Sequence, residues 1–246
     1  MIVNHKSRFA FLTVSISAAL ALSACQPEPT DDTIPPPIEG PEPSAQVVEP
    51  HADHDMSADA MAADGAPTTD MLKEYTESMT TMHDEMMVGM NYNDPDTAFA
   101  QGMLGHHIGA VDMSEIELKY GTDAEMRKLA QEIIDAQQSE IATMKTWLAN
   151  NPDVDTPTAD TKAMQQAYAD GMDAMHDDMM LGIADPIPDM AFARGMLPHH
   201  VGAVDMAEVQ LKYGKDPEMR KLAQEIIDAQ QPEIEQMQSW IAANKG

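Results

Sequence analysis

The chain has 246 residues, 42 acidic against 14 basic side chains and a formal net charge of −28. Such a field repels nucleic acid and anionic lipid surfaces and draws cations inward, so a nucleic-acid partner is excluded. Aromatic residues make up only 4 %, while there are 23 methionines and a single cysteine, so no intramolecular disulfide and no multi-thiolate metal site can form.

Residues 1–24 read as a lipoprotein signal peptide. Lys6 and Arg8 supply its positive start, and Phe9 to Leu20 form an apolar core too short to span a membrane comfortably. Leu22-Ser23-Ala24-Cys25 resembles the lipobox of bacterial lipoproteins, which implies cleavage before Cys25 and lipidation of its thiol. The alternative is an ordinary cleavable signal with an incidental cysteine. Gln26 resembles the outer-membrane sorting pattern. The expectation is an outer-membrane-anchored lipoprotein of the bacterial cell envelope, facing the periplasm or cell surface, whose membrane contact is its lipid.

Residues 26–69 are rich in proline and acids and almost lack large apolar side chains, so a disordered linker is expected. Near its end His51, His54 and Met56 stand close together. They read either as an accessory metal-capture site or as a linker that happens to hold two histidines.

One phrase then occurs twice, MLGHHIGAVDM at 103–113 and MLPHHVGAVDM at 196–206, an offset of 93 residues that also carries His83 onto His176 and Trp147 onto Trp240. Two helical repeats follow from it, 70–151 and 161–246. The first reads as helices over Asp70–Met90, Asp96–Tyr120 and Thr122–Asn150, broken at 91–95 and at Gly121, a C-cap glycine. Asp123 and Asp216 are N-caps, the latter followed by Pro217. Pro152 and Pro157 separate the repeats, and Pro198 and Pro232 predict a kink or a fresh helix start. No stretch alternates as a strand does. The fold class is all-α, two tandem helical bundles of three long helices or four helices each. Repeats of about 80 residues are small for independent cores, so the two pack together.

At about 100° per residue, Met79, Met82, His83, Met86, Met87 and Met90 fall within an arc of about 140°. The second repeat places Met172, Met175, His176, Met179 and Met180 in the same arc, with Ile183 in the last position. Methionine also fills irregular cores, so packing explains part of this stripe. In the next helix Met103, His106, His107 and Met113 share a side, as do Met196, His199, His200 and Met206, while Asp112 and Asp205 point the opposite way. Gln137, Glu140, Gln230 and Glu233 interrupt the apolar face of the third helix; they read as a hydrogen-bonding shell that orients the histidines, or as polar caps of the bundle end.

Thioether and imidazole donors without thiolate select soft ions, Cu(I) above all, with Ag(I) as mimic and Cu(II) as alternative. A di-iron carboxylate centre needs Glu-x-x-His pairs, which the chain lacks. No phosphate loop, serine elbow or cysteine nucleophile is present, so no catalytic residue is assigned and no enzyme is expected.

Met196-Leu-Pro-His-His with Ala203 and Met206, then Gln231-Pro-Glu-Ile-Glu-Gln-Met237-Gln-Ser-Trp240-Ile, resembles the hallmark of the bacterial domain of unknown function 305 family. Each repeat is similar to it, the first departing by Gly105 for the proline. The resemblance implies ferritin-like bundles, and, because some members are periplasmic copper-binding proteins, copper sequestration, resistance or delivery with a copper-exchange protein as partner. Its rivals are a metal-free helical scaffold whose Met-rich faces dock partner helices and, more distantly, a cuprous oxidase-like enzyme.

Overall fold

The computed structural model describes residues 69–153 and 156–245. The signal peptide, Cys25, the linker to residue 68 and the cluster His51, His54 and Met56 lie outside the described residues. Six helices follow in order: α1 (Asp70–Met90), α2 (Pro95–Tyr120), α3 (Ala124–Asn150), α4 (Thr161–Ile183), α5 (Pro188–Tyr213) and α6 (Pro217–Asn244). No strand occurs among the described residues. None of the described helices is long and apolar enough to cross a membrane.

Local chemistry sets the ends. Asp94 caps α2 by accepting from the Thr97 N–H at 3.0 Å, with Pro95 pre-set for the first turn. Asp123 and Asp216 cap α3 and α6 in the same way. Gly121 does close α2, but at φ −70°, outside the left-handed region. Its small size matters instead: the Glu117 carboxyl fills the space a Cβ would take, as the Gln210 amide does at Gly214. No fresh helix starts at Pro198, and α5 and α6 run through Pro198 and Pro232. Each proline removes only one N–H, and Pro232 lies on the exposed side, where water can satisfy the freed carbonyl.

In each repeat the middle helix packs on both neighbours, and α2 and α5 then pack on each other. Helix α1 meets α4 more lightly beside them, so the Met-rich helices of both repeats face one shared core. Two reciprocal carboxylate clamps hold this arrangement. Asp96 accepts from the N–H groups of Lys215 and Asp216, both at 3.0 Å, and Asp189 accepts from those of Thr122 and Asp123 at 2.8 and 2.7 Å. Each acid thus binds the backbone at the start of the other repeat's last helix, where the helix dipole favours negative charge. The α1–α2 crossing is closest at Gly89, where a Cβ would sit 2.5 Å from the Gly102 backbone nitrogen. Gly89→Ala is expected to cost about 1–3 kcal/mol, since only backbone could give way; urea unfolding checks it.

Candidate metal centre

Helices α1 and α4 bring nine residues of the two repeats around one void of about 10 Å³: Met79, Met82, His83 and Met86 from α1, and Met172, Met175, His176, Met179 and Met180 from α4. Seven are thioethers and two are imidazoles, and none is a carboxylate. The void is about the size of one water-sized guest. The His83 and His176 rings stand 6.4 Å apart, centre to centre, a gap that two metal–nitrogen bonds of about 2 Å can span. Both histidines are half-buried, while the adjacent Asp84, Glu85, Asp177 and Asp178 are exposed, so a cation meets acidic surface before it meets sulfur.

A second layer lies deeper, between α2 and α5. The rings of each histidine pair splay apart, because neighbouring helix positions point about 100° apart, with centroids 6.4 Å apart for His106–His107 and 6.2 Å for His199–His200. His106 and His199 lie against each other across the repeats, ring centroids 3.7 Å apart and planes tilted by 50°, and both are fully buried. His199 donates from Nε2 to the His106 carbonyl at 3.1 Å. His107 and His200 turn the other way and donate from Nε2 to Glu140 and Glu233, each at 2.7 Å. These bonds leave Nδ1 of His107, His199 and His200 without a hydrogen-bond partner, and neither His106 nitrogen has one. Burial, and then the charges of His199, His107 and His200, holds the His106 imidazole well below its ordinary pKa. Burial followed by His200 and His107 does the same to His199, so both stay neutral with lone pairs available. The layers touch through methionine: the Met175 Sδ and the His106 Nε2 both lie against Gly202, and the Met82 Sδ lies against Gly109.

Other candidates fall elsewhere. Gln137 and Gln230 are buried with their carbonyl oxygens unpartnered, and it is Glu140 and Glu233 that reach histidine. Met103 and Met196 are fully buried in the core away from the void, and Met87 and Met113 do not line it. Met90 and Met206 line a neighbouring void. Asp112 is half-buried and Asp205 exposed; neither lines the Met–His void. A larger groove of about 550 Å³ runs over α4–α6, but among its walls Met175 is the one thioether and there is no imidazole, so size and donor chemistry do not coincide. Among the described residues no three His, Cys, Asp or Glu side chains converge on a metal position. Any metal held here needs thioether donors, which disfavours hard ions. The sequence did not reveal the Asp96 and Asp189 clamps or the Tyr168 wall of the neighbouring void.

Helical hairpins sharing a Met- and His-lined core define a helical-bundle protein of the class its histidine phrase suggested. The chain belongs to the family described as Domain of unknown function (DUF305), which it matches over residues 96–241, a single match running from α2 through α6 across both repeats. It is similar to CopM in the Ag-bound form, 34% identical over 61% of this chain and 98% of that one, TM-score 0.47. CopM in the Cu(I)-bound form is 33% identical over 61% and 98%, TM-score 0.46. A putative secreted DUF305 protein from Streptomyces coelicolor is 26% identical over 61% and 92%, TM-score 0.50. Among curated proteins, "Uncharacterized protein L153" of Acanthamoeba polyphaga mimivirus is 39% identical over 59 residues, 24% of this chain; the match spans 39% of that protein's length.

Proposed function

We infer that the protein binds copper, as Cu(I), in one site built jointly by α1 and α4, and that it sequesters or delivers the ion in the cell envelope from a lipid anchor at Cys25. The observation that carries this reading is the lining of the shared void, seven thioethers and two imidazoles with no carboxylate. Such donors select a soft ion, and thioethers have no proton to lose, so they still bind where histidine weakens. Methionine serves in an oxidising compartment, where thiolates are lost to disulfides. The deeper neutral imidazole of His106 adds a nitrogen donor next to Met175. Glu140 and Glu233 fix the rings of His107 and His200, as carboxylates do for metal-bound histidine. Copper and silver are also the ions that accompany CopM.

The test is a titration of the full chain, in detergent, with Cu(I) against a competing chelator. Sub-micromolar binding that weakens at least about 10-fold in His83→Ala/His176→Ala is expected. Absence of binding favours the metal-free scaffold, and oxygen uptake on adding Cu(I) favours an oxidase.

A further inference from the structure

Beside the Met–His void lies a second one, also of about 10 Å³, into which Met86, Met90, Met172 and Met206 project from α1, α4 and α5. No histidine or carboxylate lines it. Its size again matches one small guest. Met86 and Met172 line both voids, so the two share a sulfur wall. Met206 lays its methyl end over Gly102, the close approach that lets α2 come near, and Met90 is half-buried at the solvent side.

The repeat supplies an internal comparison. Shifted by 93 residues, Met86, Met172 and Met206 correspond to Met179, Met79 and Met113, but Met90 corresponds to Ile183. Ile183 is fully buried, and its Cγ2 sits 2.7 Å from where a Gly195 Cβ would be, with the Met113 methyl at 3.0 Å. On that side a stiff, branched side chain fills the space. The Met90 side keeps four thioethers around a void, where packing alone is served by isoleucine.

We propose that the Met86, Met90, Met172 and Met206 void is a second site, specific for a soft monovalent cation through thioethers alone, from which an ion passes to the Met–His site by exchange at the shared Met86 and Met172. Neutral thioethers suit a monovalent soft ion and discriminate against Zn(II), Mg(II) and Ca(II), which want nitrogen or oxygen donors. The second site rests on the copper reading above and extends it to two neighbouring ions.

Silver, as Ag(I) added to the full chain in detergent, is the probe, counted by native mass spectrometry, with X-ray absorption giving the donor atoms. Met90→Ile copies the residue of the other repeat, so it is expected to fold. It is expected to hold one Ag(I) fewer than the unmodified chain, and the silver it keeps is expected to have a larger nitrogen share. Ile183→Met, which completes four thioethers in the mirror position, is the gain-of-site counterpart, expected to add one ion. An unchanged silver count in Met90→Ile overturns the second site while leaving the Met–His site standing. An unmodified chain that takes up no silver overturns both.

Discussion

Replacing Met82, Met86, Met175 and Met179 together by leucine is expected to weaken Cu(I) binding at least about 100-fold while leaving a folded protein. The reasoning separates the two roles a buried methionine can have. Leucine nearly matches methionine in volume, and such swaps usually cost under about 1.5 kcal/mol each, so a residue that only packs is replaced with modest loss. A residue that ligates loses its sulfur lone pair, and perturbing even a supporting group around a metal costs about 10–100-fold in affinity. These four form two mirror pairs around the Met–His void, all buried, and Met175 also reaches toward the deeper His106. Circular dichroism and a chelator competition on the same sample give the answer. A variant that stays helical and binds Cu(I) as tightly as the parent leaves the stripe as core, and the copper reading then loses its sulfur.

The helix ends and the donor set are legible in the amino-acid sequence alone, because both depend on local rules. Asp123 and Asp216-Pro217 mark helix starts, and a 100° wheel puts His83 among its methionines. What is not legible there is which repeat completes which site. The facing partner of His83 is His176, not the adjacent-histidine phrase, and that follows only from α2 packing on α5. The same packing divides the phrase itself, sending His106 to its counterpart and His107 to Glu140. Bonds such as Asp96 to Asp216 join residues 120 apart, with no periodicity to betray them. Pro198 starts no new helix because a proline in a long helix is a local penalty that packing elsewhere can outweigh.

Glu117→Gln is expected to stabilise the protein at pH 8 by a few kcal/mol and to change nothing below about pH 4.5. The two clamps show why. In one, the Gln210 amide donates to Asp96 at 2.6 Å. In the other, the equivalent residue is Glu117, fully buried beside Asp189, and a carboxyl can donate only when it holds its proton. Burial, then the hydrogen bond to Asp189 and that residue's charge, pushes Glu117 up to about 9, with Arg127 pulling against them and Asp123 adding to the rise. Burial also acts to raise Asp189, but the Asp123 N–H, the Glu117 proton and the Thr122 N–H outweigh it, so Asp189 stays ionised and accepts. Tyr75, close by, is likewise raised by burial and by the charge of Glu117, so it adds no competing negative charge near neutrality. The folded state therefore holds a proton that the unfolded chain releases near its ordinary value of 4.5. Between that value and about 9 the folded state binds more protons, so stability falls as pH rises, by at most about 1.4 kcal/mol per unit from this group. Below that window both states are protonated and the residue contributes no slope. Glutamine carries the donor permanently, so the gap between variant and parent should open steadily from pH 5 to pH 9 in urea unfolding, and a gap constant across that range would refute the shared proton. Gln210→Glu is the reciprocal, expected to steepen the fall by building a second proton-dependent clamp.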